Sequence, residues 1–429
     1  MDNYAIILLT LFFWGENMNH GVDIIENIEL KPNKLKVYSL ITLLNSYCRG
    51  ILIPILSLML LDKNISLSSL SIVLGTYALT AVILELPTGI AADIMGRKKV
   101  FCLSLIISEI SFSIILFGHG ILILCLAMVF YGLSRSLASG SFDALFIDWY
   151  IDTYGKEKLS KITARLSVLD ALGLSLGAIT GGLFPVWSKH LLPELGAYDL
   201  NIIIKILLTL ALIFISIIFI SETDSFQKTE RISIRKHIEN SSSIVFKNKT
   251  LIYIFISVFS TGYFLSALET YYQPHFKALL SGSNMIWLLG IMAFLYLAAG
   301  MLGSIFSERI IDRYKYDNKK LYMLLRLLLS FSLILLSFQI KIPSFIALYT
   351  ITYLLFGMAN IPEGIIINLE IPNEIRASVL SVYSLTLQAG ALTGSFVNSI
   401  IINFIPIPAL WLISAVIILL TVIIMNNNS

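Results

Sequence analysis

The chain has 429 residues, 57% of them hydrophobic and 13% charged, with a formal net charge of +3 and a mean hydropathy of +0.85. A soluble domain carries roughly 25% charged residues, so this composition cannot clothe a water-soluble fold, and so small a net charge gives no electrostatic footprint for nucleic acid. A surface facing lipid is what such a composition can cover.

A bilayer core needs about 20 predominantly apolar residues per helix. At the start, Tyr4–Trp14 is apolar but too short to span, and no small-residue cleavage site follows it. It reads as an interfacial anchor within an N-terminal extension, residues 1–35. Trp14–Asn17 back-translates to a purine-rich run just ahead of Met18, which leaves Met18 open as an alternative start, with the preceding residues untranslated. Runs of spanning length follow near 37–61, 70–92, 100–118, 121–148, 163–187 and 200–221. After a polar stretch, six more lie near 250–275, 285–307, 321–340, 343–368, 375–402 and 404–425. The expected fold class is an all-α polytopic membrane protein with 12 transmembrane helices in two six-helix halves, 36–221 and 250–429. Residues 222–249 form the linker, in which Glu230–Asn240 suits an amphipathic helix on the membrane surface. Spans of this length exclude a β-barrel, whose strands need only about 10 alternating residues.

Basic residues orient the spans. With the first span starting inside, cytoplasmic segments hold 22 of the 30 Lys and Arg, and external loops hold 4: Lys63, Lys189, Lys277 and Lys341. Both termini are expected in the cytoplasm. Cys48, Cys102 and Cys125 all fall in apolar runs and read as packing residues, not a disulfide framework.

The second span ends in Gly89-Ile90-Ala91-Ala92-Asp93-Ile94-Met95-Gly96-Arg97-Lys98-Lys99. This resembles the loop signature of the major facilitator superfamily, G-x-x-x-D-x-x-G-R-K, with Gly89, Asp93, Gly96, Arg97 and Lys98 at its defining positions. Glycine allows a tight turn, and an Asp at a helix end can accept from a neighbouring helix N-terminus and pair with Arg. The resemblance implies a gate contact, conformational and not substrate-binding. Span five carries Gly173, Gly177, Gly181 and Gly182, similar to the family's antiporter signature G-x-x-x-G-P-x-x-G-G, with Ala178 at the proline position. Such spacing lets helix backbones approach closely. In span four, Arg135 resembles the family's signature arginine, though Gly140 follows it by five positions where four are expected. Glu308–Lys320 is a weaker copy of the first basic loop about half a chain later, as duplicated halves require.

Charges inside a bilayer are costly and usually face a cavity. In the family's fold spans one, four, seven and ten line the central cavity, and Arg49, Arg135, Asp143, Glu269 and Glu363 fall on them. Helical spacing groups Asn45 with Arg49, Arg135 with Ser139 and Asp143, Glu269 with Gln273, and Asn360 with Glu363. Counting 1.5 Å per residue puts Arg49 and Arg135 near the bilayer middle, Asp143 and Glu363 in the inner third and Glu269 in the outer third. A carboxylate can load and release a proton whereas Arg stays charged. Asp143, Glu269 and Glu363 are therefore candidate proton or cation carriers, with Arg49 and Arg135 as fixed counter-charges; structural ion pairing is the alternative for each. Glu85 reads as gate-associated. Glu109, Asp170, Lys205 and Arg326 lie on the other spans and read as packing or interface charges. Tyr263, Tyr271, Tyr272 and Tyr353 suit either an amphipathic-substrate cavity or plain packing.

The resemblance implies alternating-access secondary transport in the cytoplasmic membrane of a bacterium. Its leading form is proton-coupled export of a hydrophobic or amphipathic small molecule. Uptake or facilitated exchange of a small polar solute is the alternative, and a polytopic membrane transferase or a channel would be another class. No GxxxxGK followed by Ser or Thr occurs, so ATP does not drive the cycle within this chain. The five histidines are scattered, which disfavours an enzyme, and the gate signature disfavours a channel. The expected partners are a small-molecule substrate, the lipid bilayer and a proton gradient, with no cofactor, metal or nucleic acid, and the expected state is a monomer.

Overall fold

The computed structural model describes residues 30–139, 141–191, 193–220, 248–283, 285–314, 317–371 and 376–426. The expected N-terminal anchor, the Met18 start and the linker helix lie outside these residues. Among them the chain is helical and forms no strand. In order come α1 (Leu30–Gly50), α2 (Leu56–Leu61), α3 (Leu67–Met95), α4 (Arg97–Phe117), α5 (Ile121–Ala138), α6 (Phe142–Tyr154), α7 (Leu159–Leu191) and α8 (Asp199–Phe219). Then follow α9 (Lys249–Leu279), α10 (Leu288–Tyr314), α11 (Asn318–Ser337), α12 (Ile342–Glu370), α13 (Arg376–Ile401) and α14 (Ile407–Asn426). Among the described residues ten rods, counting α5 and α6 as one, are long and apolar enough to cross a membrane. The α1–α2 rod and α13 take the places of the first and eleventh expected spans.

Local chemistry sets the ends. Ser66, Asn248 and Asp317 cap α3, α9 and α11 by accepting from Ser69, Leu251 and Lys319 amides at 3.1, 3.3 and 2.8 Å, which satisfies donors a helix start leaves open. The expected loop at 89–99 is mostly helix. α3 runs on to Met95, Gly96 alone makes the reversal at φ 97°, ψ 138°, and α4 begins at Arg97. Two expected spans are broken. In the first, residues 51–55 turn between α1 and α2, where Pro54 lacks an N–H and crowds the carbonyl four residues back. In the fourth, Ser139 is extended (φ −60°, ψ 119°) and the helix restarts at Phe142. The helical register expected to carry Arg135, Ser139 and Asp143 on one face is therefore interrupted.

Packing repeats with a period of six rods. α7 lies on α1, α5 on α3 and α4, and α8 on α4 and α1; later, α13 lies on α9, α12 on α10 and α11, and α14 on α11 and α9. The two sets meet along α3–α13 and α7–α10, contacts that the same shift interchanges. Glycines make the tightest seams. A Cβ on Gly173 would meet Ser46 Cβ at 2.7 Å, and one on Gly177 would meet Gly50 Cα at 2.8 Å. Gly390 and Gly394 press α13 on α9 in the corresponding place, a Cβ there coming 2.8 Å from Phe259 C and 3.0 Å from Tyr263 O. Outward faces carry bare apolar side chains such as Leu122, Phe214 and Phe331, which only a bilayer accommodates at this density.

Candidate functional site

A cavity of about 480 Å³ opens among α1, α4, α5, α6, α7 and α8. Its charges are placed by the seams around it. Asp170, Gly173 and Gly177 fall three and seven apart on one face of α7. The glycines pull that face onto α1 and carry Asp170 to Arg49, with which it forms an ion pair. Ser46 Oγ completes the group, donating to Asp170 Oδ1 at 2.5 Å and accepting from Arg49 Nη2 at 3.0 Å. Lys205 on α8 also lines the cavity; its Nζ donates to Ser108 Oγ at 2.9 Å and to Glu109 Oε1 at 3.2 Å, and lies 4.0 Å from the Phe112 ring centroid. Asp170 and Lys205 are thus cavity charges, contrary to the expectation from their spans, because α7 and α8 close the cavity wall beside α1. Arg135 and Asp143 face the same cavity, exposed, and their side chains have no hydrogen-bond or ion-pair partner among the described residues. They reach it from separate helices, α5 ending before the extended Ser139 and α6 starting at Phe142, and not from one shared helical face.

Across from this cavity stands Glu269 on α9, an exposed carboxylate whose Oε1 accepts from the Tyr353 hydroxyl at 2.9 Å. Around it the rings of Tyr296 and Tyr353 lie 4.4 Å apart, Tyr272 and Tyr349 5.0 Å, and Tyr349 and Tyr353 5.2 Å. Tyr77 of α3, stacked on Tyr131 of α5 at 4.8 Å, is within electrostatic range of Arg49, Arg135 and Glu269 alike. It therefore joins the two sides. Of the expected cavity tyrosines, Tyr353 and Tyr272 belong to this nest, Tyr271 turns to α3, and Tyr263 packs against Asn398 on α13.

Glu363 stands apart. It is buried, accepting from Tyr322 at 2.5 Å and from Tyr383 at 2.7 Å, while Tyr322 also meets Ser257 at 2.8 Å. Arg326, 1% exposed, donates to Ser260 Oγ, Thr261 Oγ1 and Ser257 O at 2.5, 2.6 and 3.1 Å. Asn360 is exposed while Glu363 is sealed, and Gln273 is sealed while Glu269 is open. Those two expected face-sharing pairs do not share an environment, since residues three or four apart still differ by a substantial rotation about the axis.

At the signature loop, Arg97 pairs with Asp148 on α6, and Lys98 Nζ donates to Ile217 O at 2.8 Å. Gly89 sits in mid-helix with open space at its Cβ position; the Asp93 side chain is outside the described side chains. The two sets of rods are hydrogen-bonded at the end where α2 lies, hereafter the far end, through Ile53, Ser57, Leu67 and Ser71 on one side and Tyr271–Gln273 on the other. Gly182 and Gly290 close the same end, a Cβ on Gly182 lying 2.7 Å from Gly290 Cα. Toward the opposite end the cavity reaches exposed Thr163, near the start of α7.

A family model described as Major Facilitator Superfamily matches residues 38–298 and 280–426. The chain is similar to the "Uncharacterized MFS-type transporter YxaM" of Bacillus subtilis (strain 168), 26% identical over 249 residues, 56% of this chain and 58% of that protein. It is also similar to the "Quinolone resistance protein NorA" of Staphylococcus aureus (strain MSSA476), 26% identical over 293 residues, 67% of this chain and 69% of that protein. Its fold matches the crystal structure of the nucleoside transporter NupG with a TM-score of 0.76 and 15% identity, covering 92% of this chain and 98% of that one.

Proposed function

The chain belongs to the major facilitator superfamily, as a multi-pass membrane protein and secondary transporter, and from that premise we propose that it exports an amphipathic small molecule in exchange for protons. One observation carries this reading: Glu269 stands open among tyrosine faces, opposite a cavity whose Arg135 and Asp143 have no partner among the described residues. A carboxylate there can hold a proton or the cationic end of a substrate, and holding one excludes the other. Tyrosine faces attract cations and bury an apolar body. Arg49 is neutralised by Asp170 and Lys205 by Glu109, so proton loading at Glu269 changes the net charge of the site and biases the two access states. The similarity to a quinolone resistance protein supports the outward direction.

On this reading 36–221 and 250–429 are the two moving halves, in the inner membrane of a bacterium. The excess of Lys and Arg at the end opposite α2 makes that end cytoplasmic, so the cavity faces inward and both termini are inside. The transporter works as a monomer in lipid and needs a proton gradient but no cofactor, metal or nucleic acid. It performs no enzymatic step.

The serine and threonine side chains of the first cavity, among them Ser46, Ser104, Ser134 and Ser167, favour a second reading, uptake or exchange of a small polar solute. Proteoliposomes with an imposed pH gradient separate the two, using tetraphenylphosphonium as lipophilic cation and uridine as polar solute. The expected result is gradient-driven movement of tetraphenylphosphonium alone. Movement of uridine alone would replace export of amphipaths with the second reading.

A further inference from the structure

The gap between α1 and α2 is filled from the other half of the molecule. In an unbroken helix Ser57 N–H would bond to Ile53 C=O, four residues back. Here the Gln273 carboxamide stands between them. Its Oε1 accepts from Ser57 N at 2.8 Å and from Leu58 N at 3.4 Å, and its Nε2 donates to Ile53 O at 2.8 Å. The partners fix the orientation of the amide, because an N–H can only donate and a carbonyl only accept. Gln273 is 2% exposed. Neighbours on α9 reinforce the contact: the Tyr272 hydroxyl donates to the same Ile53 carbonyl at 3.0 Å and accepts from Gln273 Nε2 at 3.1 Å, and the Tyr271 hydroxyl donates to Leu67 O at 3.3 Å. Pro54 has already loosened the ladder at this point, and a side chain entering the ladder is a recognised cause of a helix break.

We propose that Gln273 is the latch of the far end, its amide replacing a helical hydrogen bond of the first rod only while the two halves are shut there. Alternating access requires α9 to withdraw from the α1–α2 rod when the far end opens. Withdrawal strands the Ile53 carbonyl and the Ser57 amide at membrane depth, where unsatisfied backbone groups are costly. Each is the other's natural helical partner, so the direct Ser57–Ile53 bond forms and α2 extends back toward Pro54. The first rod then has two discrete hydrogen-bond arrangements, one per access state, which is what a bistable gate element needs. Gln273 acts through the rod and not on the substrate, so it is a positioning residue. The inference rests on alternating access alone and does not depend on which substrate is carried or on the role of Glu269.

The test is pulsed electron spin resonance in nanodiscs, with labels at Leu191→Cys and Ile340→Cys, both exposed at the far end, in a chain whose three native cysteines are replaced by serine. Gln273→Leu removes all four hydrogen bonds of the carboxamide and should raise the ratio of far-end-open to far-end-closed molecules about tenfold. Gln273→Glu is the sharper variant. When protonated it accepts from Ser57 and donates to Ile53 as the amide does; when ionised it has no proton to donate and sets a lone pair against the carbonyl. In a Glu269→Gln background it should therefore be as closed as the parent at about pH 4 and open at about pH 8. If Gln273→Leu leaves the distances unchanged, Gln273 is no latch. If Gln273→Glu gives one distribution at both pH values, opening reflects lost packing and the amide-insertion mechanism is overturned. Closure of Gln273→Glu at the acid value also shows that the variant folds.

Discussion

Gly96 and Gly89 fill two positions of one signature, yet the chain needs glycine at only one of them. Gly96 turns the backbone at φ 97°, a region that costs an L side chain about 1–3 kcal/mol, so Gly96→Ala should lower stability by about that amount. Gly89 lies inside α3 with open space where a Cβ would stand, and Gly89→Ala should be neutral or stabilising by about 0.5–1 kcal/mol. Thermal unfolding of the two variants in detergent checks both signs at once. Among the carboxylates, Glu269→Gln should lose gradient-driven accumulation by about tenfold or more, since an amide cannot titrate, and should weaken exchange of a cationic substrate while leaving exchange of an uncharged one within about twofold of wild type. Asp143→Asn and Glu363→Gln belong in the same liposome assay; if all three follow the gradient like wild type, the coupling scheme fails. Arg49, Arg135 and Asp143 at the cavity were legible because a charge in an apolar run needs a reason, whereas Glu363, expected beside them, is sealed with Tyr322 and Tyr383. Asp170 and Lys205 lie on spans that the resemblance does not count among the cavity helices, so the sequence alone groups them with the packing charges. For Asp170 a local signal existed, its spacing of three and seven from Gly173 and Gly177. For Lys205 none did, as its partner Glu109 lies 96 positions earlier.

Elements show a similar division. Helix type and order followed from the apolar runs, since each long run can satisfy its backbone in lipid only as a helix. The breaks did not, because hydropathy averaged over a window stays high across them. Pro54 marked the first break in plain sight, but the replacement donor and acceptor come from Gln273, far along the chain. At the second, Arg135 to Asp143 reads as one helical face and the restart at Phe142 defeats it. The glycine run of span five implies close packing, and the structure adds what it packs against. Gly177 meets Gly50 on α1 and Gly182 meets Gly290 on α10, so one motif serves a seam within a half and a seam between halves. Gly177→Ala would place a methyl group 2.8 Å from Gly50 Cα, against backbone that cannot swing aside. Overpacking of this kind costs about 1–3 kcal/mol, and the loss should appear as a lower melting temperature with the ratio of exchange to gradient-driven transport unchanged. A change in that ratio would mean that the α1–α7 seam moves during the cycle.

For the whole molecule, the repeat of packing after six rods means that each inter-half seam has a counterpart, α7–α10 answering α3–α13. Halves that rock against each other must part along the far-end segments of these seams when that end opens. The tightest of those segments is Gly182 on Gly290, where a Cβ on Gly182 would lie 2.6 Å from Gly290 N and 3.0 Å from Trp287 O. Every one of these neighbours is backbone, so a larger side chain cannot be accommodated by a rotamer change and the rods must separate. Gly182→Val should therefore hold the far end apart and shift the population toward the state open there. Ser139→Cys is a suitable reporter, since Ser139 is exposed, lines the cavity and belongs to neither seam. In right-side-out vesicles, with the native cysteines replaced, a membrane-impermeant thiol reagent added outside should label Ser139→Cys slowly. Adding Gly182→Val should speed that labelling about tenfold, the change expected when a closed state loses roughly 1.4 kcal/mol. Labelling at the parent rate would show that this seam does not seal the far end. Fast outside labelling of the parent itself would instead reverse the assignment of the far end to the external face, because the cavity would then already open outward.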